Sequence, residues 1–96
     1  MDQAEILAFL KGHKDEIRVR FGVTSLGLTG SVARGEATAE SDIDIIVSLD
    51  SQNTFRSFFG LLHFLQDSLP HKIDLATEAS LKPLVREQIM KNIHYV

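Results

Sequence analysis

Gly30-Ser31-Val32-Ala33-Arg34-Gly35-Glu36-Ala37-Thr38-Ala39-Glu40-Ser41-Asp42-Ile43-Asp44 is the stretch from which the rest of this sequence can be read. It begins where one strand ends. Val23 to Thr29 alternates, with Leu26 and Leu28 on one side and Ser25, Gly27 and Thr29 on the other. Gly30-Ser31 then opens a short helix, whose unpaired backbone N–H groups attract phosphate, and the Ser31 hydroxyl adds one more hydrogen bond. Gly30 lets an anion approach the backbone without a Cβ in the way. No Gly-Lys-Ser/Thr is present, so this is not a Walker loop. The stretch ends by opening a second strand, Asp42 to about Leu49. Asp42 and Asp44 share one face of it, about 6–7 Å apart. Ile43, Ile45, Val47 and Leu49 occupy the other face, and Ile46 makes the later half apolar on both sides, as in a covered central strand. Two carboxylates on one face repel unless a cation screens them, and Mg²⁺ favours one or two carboxylates plus phosphate oxygens.

Outward from this segment, Ala4 to about Arg20 reads as one amphipathic helix with Ile6, Leu10 and Ile17 inward, stopped by Gly22. Asn53 to Leu69 reads as another. Its core stripe is expected to run through Phe55, Phe58, Phe59, Leu62, Leu65 and Leu69, widened by Leu61 and Phe64. Pro70 ends it, and Lys72 to Thr77 forms a third strand with Ile73 and Leu75 together and Asp74 opposite. Ser80 and Pro83 open a last helix to about Asn92. The order helix, strand, short helix, strand, helix, strand, helix predicts an α/β (α+β) domain with a small mixed sheet flanked by helices. If the second and third strands are neighbours, Asp42, Asp44 and Asp74 converge beside the phosphate-binding turn. That set suits two-metal phosphoryl or nucleotidyl transfer.

Composition narrows the partners. The 96 residues are expected to form a single domain, 1–96, with one modest core. Ten basic against thirteen acidic residues give a net charge of −3, the wrong sign for tight unaided binding of nucleic acid. No apolar run reaches the roughly 20 residues of a membrane span, and the N-terminus has no basic signal-like region. Zero cysteines exclude thiolate metal sites and fit a reducing cytoplasm, the expected location. An enzyme this short is expected to borrow substrate-binding surface from a partner or from a second copy, so a homodimer is considered.

Gly30-Ser31, ten intervening residues and then Asp42-Ile43-Asp44 resemble the signature of the DNA polymerase β-like nucleotidyltransferases. The short length, Ala33-Arg34-Gly35 and the ending Leu81-Lys82-Pro83-Leu84-Val85-Arg86-Glu87-Gln88-Ile89 resemble the minimal nucleotidyltransferases, many of which are paired with a HEPN-domain ribonuclease as toxin and antitoxin. The resemblance covers roughly residues 23 to 96. It implies that Gly30 and Ser31 hold the β- and γ-phosphates of ATP. It implies that Asp42 and Asp44 bind two Mg²⁺ ions, and that Asp74 binds the catalytic metal and helps deprotonate an attacking hydroxyl. The implied activity is transfer of AMP from ATP to a tyrosine of a partner HEPN toxin.

Plainer readings stand beside this one. Gly30-Ser31 alone is a turn and helix cap, and Asp74 alone is an edge-strand residue paired with Lys72. Arg34 is assigned to an ion pair with Glu36 or Glu40 rather than to catalysis. His13, His63, His71 and His94 share no ligand spacing and are assigned to surface or packing roles. The alternative function is a non-catalytic antitoxin that masks the toxin by direct binding. A small-molecule adenylyltransferase is disfavoured because relatives of that type carry an additional helical substrate domain.

Overall fold

The computed structural model describes all 96 residues, Met1–Val96. Its elements are α1 (Gln3–Gly12), α2 (Lys14–Phe21), β1 (Val23–Thr29), α3 (Gly30–Ala33), β2 (Ile43–Leu49), α4 (Thr54–Ser68), β3 (Ile73–Thr77), a 3₁₀ turn (Glu78–Ser80), α5 (Pro83–Met90) and β4 (His94–Tyr95). The four strands form one mixed sheet in the order β3-β2-β1-β4, with β2 and β3 parallel and the other pairs antiparallel. The expected mixed sheet with flanking helices is therefore present, and β2 is its covered central strand, with Ile43, Ile45, Ile46 and Val47 all buried. No helix is long and apolar enough to cross a membrane.

The first helix departs from expectation: one helix is read from the sequence, and two are present. Helix α1 opens with a capping box, in which Asp2 accepts from the Glu5 amide at 2.8 Å and the Glu5 carboxylate accepts from the Asp2 amide at 3.1 Å. It stops at Gly12-His13. Glycine is a poor helix former, and the His13 ring stacks on Phe9 at 4.2 Å while its Nδ1 bonds the Phe9 carbonyl at 2.9 Å. His13 leaves helical geometry at ψ 5°, and α2 restarts one residue later. The chain thereby bends without losing its inward stripe, for Ile6, Leu10 and Ile17 are all buried.

Helix α4 is capped by Asn53, which accepts from the Arg56 amide at 3.0 Å. Only part of the expected stripe is buried: Leu65 and Leu69 lie inside, with the widening residue Leu61 beside them. Leu61 and Leu65 are fully buried, whereas Phe55 is 75% and Phe59 41% exposed. Six residues fit a three-to-four spacing, but the early phenylalanines pack on each other (Phe55 to Phe59, 4.7 Å) along an open groove beside β3. The core lies between one face of the sheet and α1, α2 and α4.

Strand β4 was not expected. Two residues carry no readable period, and they are ordered by the free edge of β1, pairing Tyr95 with Gly27 and His94 with Leu28. Gly27 is what lets the tail settle there. A Cβ at that position would stand 2.6 Å from the Ile93 side chain.

Leu61→Ala and Leu65→Ala are each expected to cost about 2–5 kcal/mol of stability, while Phe55→Ser stays within about 0.5 kcal/mol. Urea unfolding of the three variants checks this, and equal losses would contradict the burial pattern.

Candidate active site

The face of the sheet opposite the core carries the polar cluster. Parallel pairing of β2 with β3 sets Asp44 directly beside Asp74, and antiparallel pairing of β1 with β2 sets Thr29 beside Asp44. Immediately after Thr29 the chain turns into α3 through Gly30, at φ 73°. A side chain there would collide with the Asp44 carboxylate, so glycine is demanded both by the backbone and by its neighbour.

A cavity of about 320 Å³ opens above this row. Thr29, Gly30, Arg34, Asp44 and Asp74 line its polar end, and Ile46 and Ala76 continue its floor along β2 and β3. Helix α5 and its flanks form the far wall. Gly30, Asp44 and Asp74 are thus brought together. Ser31 and Asp42 lie outside the lining; Asp42 sits one residue before β2, whose first amide, on Ile43, donates to the Lys72 carbonyl at 2.9 Å.

Electrostatics single out Asp44. Its carboxyl is raised from 3.8 to about 6, first by burial, then by the neighbouring Asp74 charge, with a further push from Asp42 and partial relief from Arg34. Arg34 faces two ways: it lines the cavity, and its Nε bonds the Glu36 carboxylate at 3.0 Å, the ion pair read from the sequence. Asp74 makes no ion pair with Lys72; the four ion pairs of the chain lie elsewhere. No three His, Asp or Glu side chains close into a metal cage by themselves. Two facing carboxylates with an open side are a partial ligand set that phosphate oxygens can complete.

Two residues that hold α3 are not legible in the sequence. The Gln3 side-chain amide donates to the carbonyls of Val32 at 3.1 Å and Ala33 at 2.8 Å, and His94 Nε2 bonds the same Ala33 carbonyl at 3.1 Å. The amides of Arg34, Glu36 and Gly35 satisfy the carbonyls of Gly30, Ser31 and Val32, and the last carbonyl of α3, on Ala33, is left to side chains from near both chain termini. Separations of 30 and 61 residues leave no local signal for this.

Residues 10–96 match the nucleotidyltransferase domain family. The chain belongs to that family. Across its length this nucleotidyltransferase is 37% identical over 92 residues to the protein adenylyltransferase MntA of Thermococcus cleftensis, covering 96% of this chain and 93% of the relative. It is 40% identical over 96 residues to a candidate protein adenylyltransferase of Methanocaldococcus jannaschii, covering 97% and 96% of the two chains. Among solved structures, a candidate minimal nucleotidyltransferase superposes with a TM-score of 0.83 at 30% identity, over 98% of this chain and 95% of that one. A toxin–antitoxin crystal structure with AMP-PNP shares the fold at a TM-score of 0.69 and 20% identity, over 99% of this chain and 72% of that one. The nucleotidyltransferase fold and enzyme class expected from the sequence both hold.

The raised Asp44 has a consequence for stability. Between pH 3.8 and about 6 the folded state holds this proton more tightly than the unfolded chain, so the contribution of Asp44 to stability falls as pH rises through that window. Asp44→Asn is therefore expected to be more stable than the native protein at pH 7.5 in chelator, by about 1 kcal/mol after allowance for solvent screening at a half-buried site. The gap should close below about pH 4. Denaturant titrations of both proteins across pH check the sign.

Proposed function

We propose that this chain is a Mg²⁺- and ATP-dependent protein adenylyltransferase that transfers AMP to a hydroxyl, a tyrosine, of a partner HEPN-domain toxin, and so acts as an antitoxin. The observation that carries this reading is the in-register pair Asp44 and Asp74 beside the Gly30 turn. Full-length similarity to protein adenylyltransferases supports the choice of AMP and of a protein acceptor. Likeness of fold to toxin–antitoxin structures suggests the partner.

The residues present fit a divalent cation. Burial and mutual repulsion hold the Asp44 proton up, so a cation that neutralises Asp44 and Asp74 relieves a conflict already built into the fold. Bound Mg²⁺, two ions in this reading, supplies charge neutralisation between the carboxylates and the triphosphate. Asp42 and Asp44 are assigned as its ligands, with Asp74 completing the set.

The chain's own groups account for the remaining work. The backbone amides at the start of α3 and the Ser31 hydroxyl hold the β- and γ-phosphates, and the missing side chain of Gly30 keeps that approach open. Arg34 adds positive charge at the same end of the cavity. Asp74 is exposed on the edge strand, where an incoming hydroxyl can reach it and pass it a proton. The hydroxyl oxygen bonds to the α-phosphorus, the bond from that phosphorus to the bridging oxygen breaks, and pyrophosphate leaves with the electron pair.

Incubating the protein with its HEPN-domain partner, ATP and Mg²⁺ should raise the intact mass of the partner by one or more AMP units. Asp42→Asn/Asp44→Asn should lower transfer by at least about 10³-fold without unfolding the protein. Transfer that survives this double substitution excludes the mechanism, and a stable complex with no mass change replaces it with neutralisation by binding.

A further inference from the structure

The polar end of the cavity accounts for phosphates and carboxylates, but the lining continues beyond it through Ile46, Ala76, Leu81, Gln88, Ile89 and Asn92. One residue pair further along the sheet, the floor changes character: Asp44 and Asp74 give way to their i+2 neighbours Ile46 and Ala76, which are themselves paired in register. The step is about 6–7 Å, comparable to the span from an α-phosphate across a ribose to its base. Ile89 of α5 and Leu81 supply further apolar wall. Two exposed amide residues, Gln88 and Asn92, line the same cavity, one helical turn apart on the last turn of α5 and the turn that follows it. Neither amide has a hydrogen-bond partner in the protein, in contrast to Gln3 and Asn53, whose side chains are used to hold α3 and cap α4. The wall is held in place by its continuation, since Ile93 lies against the bare backbone of Gly27 and Val96 donates its amide to the Leu26 carbonyl at 2.9 Å.

We propose that this end of the cavity is a nucleobase subsite and that Gln88 and Asn92 select adenine; the proposal rests on the nucleotidyl-transfer reading above and deepens it. An apolar floor suits the face of a flat ring, and free amides at its rim suit the polar edge. Adenine offers a donor, its N6 amino group, beside an acceptor, and a single carboxamide answers both with its carbonyl and its N–H. Guanine presents two acceptors on the corresponding edge, so the amide carbonyl is left facing an oxygen. A tyrosine ring from the acceptor protein is a poorer occupant, because its edge carries one hydroxyl, which must point to Asp74 rather than to α5.

The test is binding of ATP, GTP and inorganic tripolyphosphate with Mg²⁺, by calorimetry, to the native protein and to Gln88→Ala/Asn92→Ala. The native protein is expected to bind ATP at least about 10-fold more tightly than GTP. The double variant should lose roughly 10- to 100-fold in ATP affinity and its preference over GTP, while tripolyphosphate binds as before and reports an intact fold and phosphate site. Equal affinity of the native protein for ATP and GTP overturns the subsite but leaves nucleotidyl transfer standing. An unchanged ATP preference in the variant, with slower transfer to the partner protein, also overturns it and assigns the amides to the acceptor. Failure of the native protein to bind either ATP or tripolyphosphate overturns both readings together.

Discussion

Two carboxylates set side by side on parallel strands are the constraint around which this protein is arranged. Asp44 and Asp74 are neighbours because β2 and β3 pair in register, and that register is locked by the aliphatic residues between them, Ile43 with Ile73 and Ile45 with Leu75, which face the core. A slip of one residue would bury the acids and expose the core stripe. The hydrophobic effect therefore enforces an electrostatic arrangement that is unfavourable on its own, and the raised Asp44 records the cost. Sites built this way hold their charge conflict ready for a cation or a substrate to resolve.

The neighbouring glycines serve the same arrangement by their absence of side chains. Gly30 clears the space beside the Asp44 carboxylate, and Gly27 lets the C-terminal tail lie against β1. That tail does more than close a sheet edge: it brings His94 to the last carbonyl of α3, opposite the Gln3 amide from the first helix. A four-residue helix has almost no stability of its own. Here its last carbonyl is held by side chains from both ends of the chain, so tertiary contacts add to the backbone bonds that position the turn facing the cavity.

The exposed Phe55 and Phe59 show where the pattern of a sequence and the shape of a fold part company. Their spacing with Leu62 and Leu69 is helical, and α4 is a helix, but period alone does not say which residues of the stripe reach the core: Leu69 is buried while Phe55 and Phe59 stay in water. Leu61 and Leu65 take the buried positions, joined to the sheet residues in one core cluster.

Local chemistry made much of this protein legible from its residues. The alternation in β1 and β2, the proline at the start of α5 and the Gly30 turn are each written within a few positions, and the spacing from Gly30-Ser31 to Asp42-Ile43-Asp44 pointed to the family. Other features were invisible for a single reason: they join residues far apart in the chain, and a sequence carries no distance between them. Strand β4 depends on an unpaired strand edge, and the holding of α3 on Gln3 and His94. The pairing of Asp44 with Asp74 and the placing of Gln88 and Asn92 over Ile46 and Ala76 depend on strand order and on where α5 comes to rest. Residue types and local periods set which elements form and which chemistry they carry; packing alone decided which of those groups meet.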